Sequence, residues 1–310
     1  MVAVISMRYH AISLAAVFLA LALGVVLGAS GVSDRLLHAV AVDRDDLAVQ
    51  VQELTAENDR LTGAQRAADE FAARTGAATV RGSLTGQTVV LVTLGADAAD
   101  RDAVVELAKA AGATYTGEVG LTDAVADPAR AAQLRELTAS LLPTGAQLPA
   151  ATDTGSLAGG LLGGVLLAPG GRPQATPDQA TAVLSGLATA GFVRPGPAPA
   201  PSNLVLVLTG GALAGLDAAE SASVTARLAA QLDRAGGAVL AGRTGSAEAT
   251  GAVGVARADT GIATAVSTVD DVDSGPGRVS AVLALREQLD GRAGRYGTAA
   301  SAQDGATPAV

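Results

Sequence analysis

The chain opens with its longest uninterrupted apolar stretch. From Ala11 to Ser33, AISLAAVFLALALGVVLGASGVS, no side chain ionises. At about 1.5 Å of rise per residue, such a helix crosses a hydrocarbon core roughly 30 Å thick. The pattern predicts a membrane helix over 11–29 within an N-terminal segment of residues 1–35. Beyond it the apolar positions thin to a seam among charged residues. Val40, Leu47, Leu54, Leu61 and Ala68 recur every seventh residue, with Leu37, Arg44, Val51, Asn58, Gln65 and Ala72 in the alternate seam positions. A heptad seam of this kind predicts a coiled-coil stalk over residues 36–75, with Asn58 setting the register at some cost in stability. A helix from Leu37 to Phe71 spans roughly 50 Å, and Gly76 with the TVRGSLTGQ stretch is expected to end it.

The period then changes. Gln87–Leu94, QTVVLVTL, is a near-continuous apolar run bounded by turn residues, as expected for a strand buried on both faces. An amphipathic segment over 100–111, Gly112 as a helix stop and a second strand over 113–119 complete a β-α-β unit. Helices are expected over 128–142 and 177–190, with a strand over 165–168 after a Gly-rich region. The run Pro195-Gly-Pro-Ala-Pro-Ala-Pro201 reads as a linker. After it the order repeats: a strand at 203–208 (NLVLVL), Thr209-Gly210-Gly211, a helix over 218–235 and a strand at 237–240. A strand over 261–269, a helix over 278–291 and a loose tail over 298–310 follow. The fold class is therefore α/β: one transmembrane helix, a coiled-coil stalk, and a mainly parallel-sheet domain of two similar halves, residues 76–195 and 196–297. The natural cleft lies at the strand C-termini.

Charge decides the orientation of the anchor. Arg8 and His10 precede it, whereas Asp34, Asp43, Asp45 and Asp46 follow it together with Arg35 and Arg44. That bias predicts a cytoplasmic N-terminus and an extracytoplasmic bulk. Gly28-Ala29-Ser30 leaves a cleaved signal peptide open as the alternative, and either reading exports the domain. Gly24 and Gly28 place two small residues on one helix face, where a second copy can approach. Together with Leu47, Leu54, Asn58 and Leu61 they make the expected surface for homo-oligomer association.

Composition removes several chemistries. Acidic residues outnumber Lys plus Arg by 30 to 21, which disfavours nucleic-acid partners. Cysteine is absent, so disulfides, thiolate metal sites and cysteine nucleophiles are excluded. The two histidines, His10 and His38, precede the α/β domain, so neither a Ser-His-Asp arrangement nor a histidine zinc site can form there. The loop Gly242-Arg-Thr-Gly-Ser246 lacks the lysine of a P-loop, and Gly210-Gly211 does not meet the G-x-G-x-x-G pattern. No cofactor is identified. The densest polar cluster is Asp270, Asp271 and Asp273, between an expected strand and helix. It has two readings, oxygen ligands for a hard cation or helix capping with solvated loop charge, and Arg278 stands ready to pair with one of the three.

Three stretches, SMRYHAISLAAVFLALALGVVLGAS, LTAENDRL and STVDDVDSGPGRVSAVLALREQLDGRAGRYG, resemble the MctB-like copper transporter family of actinobacteria. The matching positions include Arg8, His10, Gly24 and Gly28, then Thr268, Val269, Asp270, Gly277, Ala284, Leu285, Arg286, Gln288, Leu289 and Gly297. The resemblance implies copper homeostasis, with copper transported or sensed, in an envelope protein described for the family as a pore in the outer membrane. An aromatic content of 2% and β-α-β periodicity run against a barrel, which needs alternating strands and aromatic girdles. Cu(I) prefers sulfur and imidazole, and Met1, Met7, His10 and His38 all lie ahead of the α/β domain. Two other functions stay open: an anchored interaction module that contacts envelope proteins, and an envelope enzyme using Asp270, Asp271 and the GRTGS loop.

Overall fold

A computed structural model describes residues 7–29 and 32–308. Two compact units emerge, Met1–Ala64 and Gln65–Val310. The first contains helix α1 (Met7–Ala29) and most of α2 (Val32–Thr79). Met7–Val26 is the one helix among the described residues long and apolar enough to cross a membrane. Its large side chains, Ile12, Leu14, Phe18 and Leu23 among them, are all exposed, as a helix facing lipid requires. An added Cβ at Gly24 or Gly28 would meet nothing within 4 Å. The α2 seam residues Leu47, Val51, Leu54 and Leu61 are exposed as well. The side chains of Leu37, His38 and Val40 lie outside the described residues. Helix α2 continues through Gly76 to Thr79 because Gly76 packs directly under Val279, whose Cγ2 would stand 2.9 Å from an added Cβ.

The second unit is a doubly wound sheet. Its elements run β1 (Thr88–Leu94), α3 (Ala98–Ala110), β2 (Thr114–Gly120), α4 (Ala131–Ser140), α5 (Thr154–Leu166), α6 (Pro177–Thr189), β3 (Leu204–Thr209), α7 (Ala218–Ala235), β4 (Gly237–Gly242), α8 (Ala252–Ala258), α9 (Thr260–Ala263), β5 (Ser267–Val269), α10 (Gly275–Leu289) and β6 (Arg295–Tyr296). All six strands are parallel, in the order β2-β1-β3-β4-β5-β6. The alternation of side chains along β1 and β3 divides the core. Val90, Val92, Val205 and Val207 pack with α5, α6, α7 and α8, while Val89, Leu91, Leu204, Leu206 and Leu208 pack with α3 and α10. The units β1-α3-β2 and β3-α7-β4 are built outward from neighbouring central strands with their helices on opposite faces.

Local capping agrees with the composition of several helix starts. Asp97 accepts the Ala99 amide at α3, Thr176 and Gln179 form a reciprocal capping box at α6, and Ser274 accepts the Gly277 amide at α10.

Three expectations are corrected. Residues 165–168 are not a strand: α5 runs to Leu166, and only Leu167 makes a single bridge, to Ser202. An apolar run reads alike whether it is a helix enclosed on all sides or a buried strand, and α5 is enclosed. The stretch 261–269 is strand only over Ser267–Val269, because Asp259 caps the short α9 ahead of it. The tail is docked as far as Ala306. Gly297 N–H donates to Gly305 O, Arg295 N–H to Asp304, and Ser280 Oγ to Ala306 O.

Candidate functional site

Strand order places the first site. The crossover from β1 leads to β2 on one side and that from β3 to β4 on the other, so the strand order reverses between β1 and β3. Beyond the C-terminal ends of two such strands a crevice is unavoidable. It is a cleft of about 650 Å³, floored by Leu94, Gly95, Thr209, Gly210 and Gly211 and walled by residues 123–130 and the loop 212–217 that leads into α7. The glycines are there for close approach: an added Cβ on Gly210 would sit 3.0 Å from Gly95 O, and one on Gly211 2.8 Å from Thr244 O. The expected turn at Thr209-Gly210-Gly211 is thus the floor of the cleft. The walls, with Asp123, Asp127, Leu213, Leu216 and Asp217, carry no motif that marks them in the sequence.

The acidic cluster lies at the end of β5, and its members separate. Asp270 is enclosed with Arg257, whose Nη1 donates to Oδ2 at 2.5 Å, the two side chains being 2% and 3% exposed. Arg257 also donates to Thr268 Oγ1, Ser301 Oγ and Tyr296 O, and Asp270 Oδ1 accepts the amides of Thr298 and Ala299. Asp273 turns the other way and accepts the amide and hydroxyl of Thr244 in the GRTGS loop, at 2.9 and 3.1 Å. Asp271 accepts Ser274 Oγ on one oxygen, and its Oδ1 is buried without a partner. Among the described residues no three carboxylate, histidine or cysteine side chains gather to hold a metal ion. Arg278 does not pair with the three carboxylates: it bonds the carbonyls of Val272 and Asp273 and the carboxylate of Asp100.

Burial is the main cause that raises Asp271 to about 6, opposed by the Ser274 hydroxyl and reinforced by the charges of Asp270 and Asp273. A carboxyl that holds its proton more tightly when folded favours the folded state at low pH and loses that contribution as pH rises through its folded value. Relative to Asp271→Asn, the protein is therefore expected to lose stability, on the order of 2 kcal/mol, between about pH 4 and pH 6.5 and to change little above. Urea unfolding of both proteins across that range measures the difference, and a constant gap between them would contradict it.

Comparison with known proteins decides the family. A sequence-family profile described as "Copper transport outer membrane protein, MctB" matches residues 4–307. The chain belongs to the MctB family. Proteins named "Copper transporter MctB" from Mycobacterium bovis and Mycobacterium tuberculosis (strain H37Rv) are each 42% identical to it over 304 residues, covering 95% of this chain and 96% of theirs. The Mycobacterium leprae protein of the same name is 40% identical over 306 residues, covering 94% and 96%. The MctB description names transport rather than a catalysed reaction, and the resemblance at the two ends of the chain extends over nearly all of it. The sheet of this MctB-family chain is open and parallel with helices on both faces, whereas bacterial outer-membrane barrels are closed and antiparallel.

Proposed function

We propose that the protein is a membrane-anchored component of copper handling in the cell envelope, contributing to copper efflux or transport. The observation that carries this reading is the match to relatives named copper transporters over 95% of the chain. Helix α1 anchors the chain once, with its N-terminus cytoplasmic and the α/β unit outside. Copper is cargo here, and the α/β unit offers it no soft ligands: residues 65–310 contain no Cys, His or Met, the residues that hold Cu(I). A single apolar helix offers an ion no polar lane either. A conducting path therefore needs further envelope proteins. Deleting the gene is expected to raise cell-associated copper and lower copper tolerance, and unchanged values of both would overturn the reading. In fractionation the protein is expected with the cytoplasmic membrane; recovery with the outer membrane would overturn that placement.

A second copy is the partner favoured by α2, whose exposed leucines at 47, 54 and 61 fall on one heptad seam. Because the chain has no cysteine, single cysteines report the contact cleanly. Leu54→Cys in the seam is expected to form disulfide-linked dimers in membranes under mild oxidation, and Asp59→Cys, on the outer face, to form several-fold fewer. Equal crosslinking at the two positions would count against a seam-to-seam pair.

A further inference from the structure

We propose that the cleft between the ends of β1 and β3 is a binding site for an uncharged, hydroxyl-bearing small molecule of nucleoside or disaccharide size. The proposal is independent of the copper reading. A volume of about 650 Å³ lies within the range of small-molecule sites, and the switch point of a doubly wound sheet is where such sites form.

The lining selects the chemistry. Three carboxylates and one guanidinium, Arg130, line the cleft: Asp123, Asp217 and Asp127, whose Oδ1 is already used by the Ala129 amide. The guanidinium is occupied: it donates to Gln133 and to Ala190 O and lies 4.3 Å from the centre of the Phe192 ring. The cleft hydroxyls are spent inward as well, Ser221 on Ala126 O, Thr225 on Ser221 O and Thr209 on Gly210 O. Asp217 makes no capping bond at the start of α7, and Asp123 is exposed. The walls thus present acceptors that ask for donors, and their negative charge repels phosphates and carboxylates.

Apolar groups separate a hydroxylated molecule from a simple cation. Leu94, Leu213, Leu216 and six alanines line the same space. Leu216 is fully exposed at the tip of the loop, placed to lie over the carbon face of a sugar or base, and such a surface gives a strongly hydrated amine little.

Saturation-transfer NMR on the detergent-solubilised full chain tests this, with adenosine, maltose, spermidine and adenosine triphosphate as probes. Signals are expected for adenosine or maltose. They should fall at least fivefold in Ala214→Trp, which fills the cleft from an exposed loop position, and in the double variant Asp123→Asn/Asp217→Asn, which removes two acceptors' charge. Both variants should keep the unfolding midpoint of the parent. Binding of spermidine or the triphosphate alone, no binding by either neutral probe, or neutral-probe signals that survive both variants would each overturn the proposal.

Discussion

Replacing Arg257 by methionine is expected to lower the free energy of unfolding by about 3–5 kcal/mol, the cost of leaving one member of a buried ion pair uncompensated. Its guanidinium is 3% exposed, and the carboxylate it meets, on Asp270, is 2% exposed. Methionine fills the volume and removes every donor, so Asp270 keeps the amides of Thr298 and Ala299 but not its counter-charge. The change also frees Tyr296 O and Ser301 Oγ, which hold β6 and the tail against β5. Loss of the pair should therefore loosen the last strand first, and amide exchange at residues 295–306 should accelerate more than at β1 or β3. Urea unfolding of the full chain measures the size of the effect; a loss below about 1 kcal/mol would show that the pair contributes little net stability. Asp270→Asn keeps an acceptor for the Thr298 and Ala299 amides and should cost less.

Gly159→Leu is expected to destabilise the α/β unit by about 3 kcal/mol, because α5 and α7 touch backbone to backbone. An added Cβ at Gly159 would stand 2.7 Å from Leu228 O and 2.8 Å from Gln231 Cβ, and one at Gly163 2.9 Å from Ala235 Cβ. At Gly155 it would collide with Val224 O. Each of these neighbours is backbone or the stem of a side chain on α7, so the helices must move apart, and overpacking of this kind typically costs about 1–3 kcal/mol or more. Gly164, one residue beyond Gly163, has nothing within 4 Å of an added Cβ. There alanine should stabilise the protein by about 0.5–1 kcal/mol through better helix propensity. Thermal melts of the two variants separate close packing from propensity. Equal and small effects at Gly159 and Gly164 would remove the close approach of the helices as an explanation.

The i, i+4 spacing of Gly155, Gly159 and Gly163 was present in the sequence, inside a stretch read only as Gly-rich and followed by a strand that does not exist. A glycine stripe signals close approach once a partner helix is known, and α7 lies some 60–80 residues further along the chain. The acidic cluster teaches the same lesson. Asp270, Asp271 and Asp273 are adjacent in sequence, but extended backbone and a turn aim them at Arg257, Ser274 and Thr244. Arg257, 13 residues upstream of Asp270, carried no local mark at all.

Whatever depends on neighbours along the chain was determined by the sequence itself: the apolar helix able to cross a bilayer, the heptad seam of α2, and the strands β1 and β3. Hydrophobic period and the absence of charge act over one to a few turns, so they are legible without knowing what lies opposite. Tertiary structure alone decided that β1 pairs with β3, which creates the switch-point cleft and brings Asp123, Asp127 and Asp217 to it. It also decided that α5 is enclosed and that the tail folds back over β5 and α10. Those outcomes depend on which distant surfaces bury one another, and burial is a property of the whole packed unit rather than of any segment.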